Sequence, residues 1–133
     1  MRLWHESLIP LLPRQQLLGQ HRECCALRGK GWGKKHATVD YVFTHPMEWL
    51  VAYHYKVMSE MLNRGYTVNS NWMRVTYRGE SLGFVDSSLI DAKKVSLRSV
   101  FSEYNKKPIY PEHNDEYLQE CLDNLRAKGI ELQ

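Results

Sequence analysis

The sequence is poor in cysteine and has no long hydrophobic run. It contains three cysteines in 133 residues, and two of them, Cys24 and Cys25, are adjacent, which argues against a disulfide framework. We therefore expect a cytoplasmic protein, since a reducing compartment suits unpaired thiols. The apolar residues between positions 8 and 12 are interrupted by Pro10 and followed by Pro13, so no signal peptide is expected. No stretch approaches the length of a transmembrane helix, so no membrane association is expected.

Signatures of several enzyme classes are missing as well. There is no GxSxG motif of a serine hydrolase. The spacing from Gly29 to Gly33-Lys34 is one residue too short for a P-loop, and Lys35 stands where Ser or Thr is required. The alternating glycines of this segment do not fit the GxGxxG pattern of dinucleotide-binding proteins either. No small-molecule cofactor is therefore expected.

The residue types for a metal site are present, but their spacing does not fit one. The candidate ligands are His21, Cys24, Cys25 and His36. Zinc sites usually use spaced pairs of ligands, and no second pair with finger-like spacing follows the first. We therefore expect no metal and interpret the cysteines as small core residues. His54, on an apolar helical stripe, is predicted to be a hydrogen-bonded core residue.

The composition is that of a globular domain with unevenly distributed charge. Hydrophobic residues make up 43% and charged residues 25%, which fits one domain over residues 1–133. The formal net charge is +3, but residues 1–36 carry seven Arg or Lys against two acids, and residues 112–133 carry six acids against two bases. A positive segment suggests a polyanionic partner, first of all nucleic acid. The alternative is that the basic residues only aid solubility.

Three segments have the apolar periodicity and the end signals of helices. They cover about residues 13–27, 46–64 and 114–128. Residues 66–110 lack a clear pattern, apart from one or two helical turns expected within 91–104. We therefore predict an all-α fold: a compact single domain of about three main helices with a long irregular segment between the second and third.

Glu23 lies outside the apolar stripe of the first predicted helix. At about 100° per residue, that stripe consists of Leu17, Leu18, His21, Cys24 and Cys25. Glu23 points the other way, and its neighbours one turn away are Gly19 and Ala26. These small residues leave room for a group to approach the carboxylate. The alternative is an ordinary solvated glutamate.

The segment 28–36 combines glycines, basic residues and a tryptophan. Glycines allow backbone N–H groups to approach phosphates, basic side chains neutralise them, and an indole can stack or wedge beside bases. The candidate DNA-binding residues of this segment are Arg28, Lys30, Trp32, Lys34, Lys35 and His36. The alternative is a flexible, solvated loop.

The ordered residues of the N-terminal third resemble a known family. The segments 1–4 (MRLW) and 16–23 (QLLGQHRE), then Gly29 and Lys35-His36, are similar to the phage endonuclease V type of pyrimidine-dimer DNA glycosylase. Residues 63–66 (NRGY) are a further match at the end of a long helix. Over its whole length the chain resembles a bacterial branch of this family. The resemblance implies an all-α, single-domain, metal-free enzyme.

The resemblance also implies a mechanism. In this family the α-amine of the mature N-terminus attacks the sugar C1′ of a damaged nucleotide, expels the base, forms a Schiff base and cuts the strand by β-elimination. Arg2 is too large for ordinary removal of the initiator methionine, so Met1 is expected to supply the amine. Glu23 matches the assisting glutamate, and Arg2 and Arg22 match arginines that bind phosphates. An α-amine, with a pKa near 8, is about a tenth neutral at pH 7, far more than a lysine.

Two departures from the phage enzyme bear on the lesion that is recognised. Ala26 stands where the family has another arginine, and an acidic helix replaces an aromatic, lysine-bearing C-terminus. We expect a monomer that acts on damaged double-stranded DNA. One alternative is a non-catalytic nucleic-acid-binding module on the same fold. Another is a protein-interaction domain that uses the acidic last helix.

Overall fold

The computed structural model describes residues 1–132, and these contain four α-helices. They are α1 (Arg14–Arg28), α2 (Met47–Asn63), α3 (Ala92–Asn105) and α4 (Asp115–Ala127). Short 3₁₀ helices lie at Glu6–Leu11, Asp40–Thr44 and Ser70–Met73. Within the described residues, the β pairing is limited to one isolated bridge, between Tyr77 and Phe84. The prediction of an all-α fold is confirmed. No described helix is both long and apolar enough to cross a lipid bilayer.

The helix boundaries follow the local signals, with α3 as the exception. Prolines precede α1 and α2, and the Asn114 side chain caps α4 by accepting a hydrogen bond from the Tyr117 amide at 2.9 Å. α3 is a helix of 14 residues where only a turn or two was expected. Several of its apolar side chains, including Leu97 and Val100, are exposed. Because apolar residues of α3 lie on its exposed side as well, their spacing did not indicate a buried face. The fold therefore has four main helices, where about three were predicted.

α2 is the centre of the fold. Its buried residues lie on most of its faces, and both α1 and α3 pack against it. The N-terminal segment belongs to the same core, because Leu3 and Trp4 are buried there. The Tyr53 hydroxyl of α2 donates a hydrogen bond to the Trp4 carbonyl at 2.6 Å. The first residues of the chain are thereby fixed between α1 and α2.

The buried face of α1 differs from the predicted stripe. The buried residues of this helix are Leu17, Gln20, Cys24, Leu27 and Arg28. Leu18, His21 and Cys25 are only half-buried. Hydrogen bonds to other segments bury two polar side chains that an apolar periodicity does not count. The core face is therefore rotated towards Glu23, which lies at its margin and is half-buried.

Arg28 is a structural residue, and its predicted role in DNA binding is wrong. Its side chain is fully buried. The guanidinium donates to the carbonyls of Trp72 at 2.8 Å, Arg74 at 2.9 Å and Tyr77 at 3.3 Å. It also donates to Nδ1 of His54 at 3.0 Å. Arg28 therefore fastens the irregular segment after α2 to the end of α1 and cannot reach a phosphate.

His113 should make the fold sensitive to acid. Its Nδ1 accepts from the Glu6 amide at 3.1 Å, and its Nε2 bonds to the Tyr41 hydroxyl at 2.7 Å. Burial, together with the nearby His5, lowers the pKa of His113 to about 3. An unfolded histidine has a pKa of about 6.5, so the unfolded state binds more protons between these values. Stability should therefore fall as the pH is lowered from about 6.5 to 3, by up to about 1.4 kcal/mol per pH unit for this one group.

Urea unfolding between pH 7 and pH 4 measures this effect. His113→Asn retains an acceptor near the Nδ1 position but does not titrate, so its unfolding free energy should depend less steeply on pH. His36→Asn, at an exposed position, serves as the matched control and should keep the parental slope. A His113→Asn variant with the parental slope would exclude His113 as the source.

Candidate active site

Gln20 holds the N-terminal segment against α1. Its side chain is buried, and its Nε2 donates to the Arg2 carbonyl at 2.9 Å. Its Oε1 accepts from the Trp4 amide at 2.6 Å and from the Tyr53 hydroxyl at 3.0 Å. Gln20 was not among the residues predicted from the sequence to form the site. Its position one turn before Cys24, on a helix face that also holds Leu17, was the available signal.

Glu23 lies directly beside the start of the chain. Its Oε2 accepts hydrogen bonds from the Arg2 amide at 3.3 Å and from Gln20 Nε2 at 3.1 Å. The Met1 nitrogen is three covalent bonds from the Arg2 nitrogen, so it lies within about 7 Å of the carboxylate. The structure thus places the two predicted catalytic groups, Met1 and Glu23, next to each other.

The surroundings of Glu23 act on its ionisation in opposite directions. Burial raises the pKa of Glu23 above its ordinary value. The Arg2 amide, the positive N-terminus, Gln20 and Arg22 oppose this effect, because each favours the carboxylate. The net result is a raised pKa, which suits a carboxyl group that both accepts and returns a proton.

The two arginines expected to bind phosphates have different environments. The Arg2 guanidinium donates to Glu120 of α4 at 3.3 Å and lies 5.8 Å from the centre of the Tyr117 ring. Arg22 is exposed and forms no ion pair within residues 1–132. Its Nη2 lies 3.7 Å from the point where a Cβ on Gly19 would stand, an ordinary van der Waals distance, so the Arg22 side chain runs alongside Gly19. Arg22 is therefore free to meet a phosphate, whereas Arg2 must first leave Glu120.

The segment 29–38 forms an ordered loop that returns to the N-terminus. Gly31 lies so close to α1 that a Cβ there would come within 2.7 Å of the Ala26 carbonyl oxygen. Trp32 is half-buried and packs edge-to-face on Phe43 at 5.1 Å. The Thr38 hydroxyl donates to the Met1 carbonyl. The loop therefore begins at the end of α1 and ends beside the proposed nucleophile.

Most of the predicted DNA-binding residues of this loop are accessible. The exposed ones are Lys30, Lys34, Lys35 and His36. Part of the Trp32 ring packs on Phe43, so less of the ring is available to stack on a base than the sequence suggested. The loop thus places four polar or basic side chains at the surface, in a segment whose far end contacts Met1 through Thr38.

His21, Cys25 and His54 have potential ligand atoms within 4.8 Å of one another. Arg28 has only donor groups, so Nδ1 of His54 must be an acceptor and its Nε2 carries the proton. That Nε2 donates to His21 Nδ1 at 2.8 Å and has no lone pair for a metal ion. The geometry therefore gives these residues a hydrogen-bonding role. The interpretation of His54 as a hydrogen-bonded core residue is confirmed.

The cysteines are poorly suited to nucleophilic chemistry. Burial raises the pKa of Cys25 to about 11 and that of Cys24 well above its ordinary value. A thiol with a raised pKa is scarcely ionised at neutral pH, and only the thiolate is a good nucleophile. Among the groups near Glu23, the α-amine is the stronger candidate.

Comparison with known proteins gives a match over the part of the chain that builds this site. The model of a family described as "Pyrimidine dimer DNA glycosylase" matches residues 1–74. These residues include the N-terminal segment, α1, the loop 29–38 and α2. Searches of curated proteins and of solved structures found no match.

Proposed function

Because the chain belongs to the pyrimidine dimer DNA glycosylase family, we propose that it excises damaged bases with the α-amine of Met1 as nucleophile and Glu23 as the assisting carboxylate. The family makes it a DNA-repair glycosylase; the residue roles and the lyase step are our proposal. The observation that supports them is the contact of Glu23 with the Arg2 amide at 3.3 Å. This contact brings a half-buried carboxylate to the first peptide of the chain.

The proposed reaction begins with the neutral amine. Its lone pair attacks C1′ of the damaged nucleotide, a nitrogen–carbon bond forms, and the glycosidic bond breaks with its electron pair leaving on the base. A proton passes from that nitrogen to the ring oxygen, the C1′–O4′ bond breaks with its electron pair leaving on oxygen, and a protonated Schiff base forms. Removal of a proton from C2′ then expels the 3′ phosphate and cuts the strand. No metal or cofactor is needed for these steps.

The hydrogen bonds of Glu23 suggest which of its oxygens reacts. Both bonds, from the Arg2 amide and from Gln20, are made to Oε2. Oε1 receives none within residues 1–132. We assign Oε1 to the stabilisation of positive charge on the sugar and to proton transfer in the elimination. Gln20 is a positioning residue, because it orients both the carboxylate and the N-terminal segment.

The exposed basic residues would bind the DNA backbone. Arg22, one residue before Glu23, and the exposed lysines of the loop 29–38, whose end contacts Met1 through Thr38, can neutralise phosphates of the bound DNA. Extrusion of the damaged nucleotide costs a few kcal/mol, and less for a damaged pair, which supplies part of the selectivity. Binding should therefore weaken steeply as salt is raised.

Borohydride trapping on a duplex with one abasic site tests this proposal. Untagged, deformylated protein should yield a covalent adduct, and peptide mass spectrometry should place it on residue 1. Acetylation of the N-terminus, or an N-terminal extension, should abolish the adduct because the free amine is lost.

The nearby lysines provide the matched control. A triple variant with Lys30→Arg, Lys34→Arg and Lys35→Arg keeps the charge of the loop but removes its primary amines, so it should still be trapped through Met1. An adduct that persists after acetylation and disappears in the triple variant would move the nucleophile to a lysine. Salt-dependent binding without any adduct would favour the non-catalytic DNA-binding module.

A further inference from the structure

The hairpin of residues 76–85 presents apolar side chains to solvent. Its two arms are joined by hydrogen bonds from the Val85 amide to the Thr76 carbonyl and from the Arg78 amide to the Gly83 carbonyl, each at 2.8 Å. Leu82 is 45% exposed and Phe84 51%. Large apolar side chains that are exposed together often mark a contact surface.

This hairpin is held firmly on the end of α1. Arg28 donates to the carbonyls of Trp72 and Arg74, which precede the hairpin, and of Tyr77 within it. In return, Arg78 Nε donates to the Arg28 carbonyl at 2.8 Å, and its Nη2 donates to the Gly29 carbonyl at 3.3 Å. Phe84 packs on the buried Tyr77 with ring centres 5.0 Å apart. The hairpin therefore sits rigidly where the basic loop 29–38 begins.

The segment that leads into the hairpin and Glu23 lie on the two sides of an exposed face of α1. His21 lies on the side of α1 that contacts His54, and Trp72, which precedes the hairpin, packs on His54 with ring centres 5.9 Å apart. Glu23 lies on the other side, against the N-terminal segment. The face between them carries the exposed Arg22. The hairpin itself contacts the end of α1 at Arg28 and Gly29, five and six residues after Glu23, which is about 8–9 Å along a helix.

The charge beside the apolar tip favours DNA as its partner. Arg74 is exposed, its guanidinium lies 5.7 Å from the centre of the Phe84 ring, and it forms no ion pair within the described residues. An unpaired arginine next to an exposed aromatic ring can bind a phosphate while the ring packs on a base or sugar. The basic loop and Arg22 extend this positive surface towards Met1.

We propose that the hairpin, together with Arg74 just before it, is a second DNA-contact element, in which Arg74 binds a phosphate and Leu82 and Phe84 pack against the duplex beside the extruded nucleotide. Apolar side chains placed there would help to hold open the gap in the base stack. Leu82 and Phe84 lie beyond the residues that the family model matches. The inference rests on DNA as the substrate but not on Met1 as the nucleophile.

Fluorescence anisotropy with a duplex containing a non-cleavable abasic analogue tests the hairpin. Phe84→Ser should weaken binding about tenfold or more, the range for loss of a base-stacking side chain. Leu82→Ser, which leaves the Phe84–Tyr77 contact intact, should act in the same direction. Arg74→Gln should reduce the slope of log affinity against log salt by about one.

Leu97→Ser is the control, since Leu97 is also an exposed apolar residue, 67% accessible, but lies on α3. It should bind like the parent protein. Parental affinity in both Phe84→Ser and Leu82→Ser, with an unchanged salt slope in Arg74→Gln, would overturn the proposal. Trapping of the parent protein, measured in parallel, reports on the Met1 mechanism separately. A parent that binds but is not trapped would therefore refute the nucleophile and leave the hairpin contact standing.

Discussion

Replacing Glu23 with glutamine is expected to slow strand cleavage by about 10²–10⁴-fold, the usual contribution of a positioned acid–base group. The amide can still accept from the Arg2 amide, so the N-terminal segment should stay in place. It cannot stabilise a positive sugar or take up a proton. DNA affinity should change little, because the phosphate contacts are assigned to other residues. Single-turnover cleavage at saturating protein, together with anisotropy, measures both quantities.

The stability of the same variant provides an independent check. Burial raises the pKa of Glu23 in the folded protein, so the fold gains stability as the pH falls and loses it as the pH rises through that pKa. At pH 7 the ionised, half-buried carboxylate therefore lowers the free energy of unfolding. Glutamine is uncharged and lacks this effect. The free energy of unfolding of Glu23→Gln should equal or exceed that of the parent.

Glu120→Gln is the matched control for catalysis. Glu120 is an exposed carboxylate that contacts Arg2 at 3.3 Å, on the α4 side of the N-terminal segment. Its loss should leave cleavage largely intact and make Arg2 more available to phosphates. Equal loss of cleavage in both variants would mean that the general negative charge matters and not the position of Glu23. Full cleavage by Glu23→Gln would refute its catalytic role.

Replacing Arg28 with methionine is expected to lower the free energy of unfolding by about 2–6 kcal/mol, because two buried carbonyls lose the donor that satisfies them. The change leaves the carbonyls of Trp72 and Tyr77 without their donor, whereas the Arg74 carbonyl keeps the hydrogen bond from the Tyr77 amide at 3.1 Å. Each unsatisfied buried carbonyl costs about 1–3 kcal/mol, less where water can enter. Arg28→Lys should recover only part of this loss, because one ammonium group cannot reproduce the planar fork. Urea denaturation at pH 7 measures the difference.

Arg22→Met provides the comparison for stability on the same helix. Arg22 is exposed, so its replacement should change the unfolding free energy by no more than about 0.5 kcal/mol. In DNA binding we expect the opposite ranking of the two variants: Arg22→Met should weaken the affinity more than Arg28→Met, because Arg22 is the residue proposed to contact a phosphate. Similar unfolding free energies for the two variants would contradict the structural role of Arg28.

The local signals that the sequence carries were sufficient for most of the helices. Proline before α1 and α2, Asn114 before α4 and the apolar repeats gave their positions, since these effects act within a few residues. α3 was missed because exposed apolar residues such as Leu97 obscure its buried side. The neighbourhood of Met1 and Glu23 was suggested by family resemblance and is present in the structure.

The roles of the polar residues on α1 depended on partners far away in the chain. Arg28 stands beside glycines and lysines, a context typical of a DNA-binding residue. In the structure it is buried and donates hydrogen bonds to carbonyls 44 to 49 positions away in the chain. Nothing in the sequence distinguished Gln20, yet its side chain holds the N-terminal segment by hydrogen bonds. A hydrophobic pattern counts apolar residues only, and hydrogen bonds formed in the folded state decide which polar ones are buried with them.

By itself the sequence determined an all-α chain, the ends of α1, α2 and α4, and the family to which the chain belongs. The tertiary structure alone decided how α1 is rotated, that Arg28 faces inward, and that the hairpin of residues 76–85 stands beside the basic loop. The physical reason is the range of the interactions. Helix propensity and capping are local, whereas the burial of Gln20 and Arg28 is stabilised only when distant backbone groups arrive to complete their hydrogen bonds.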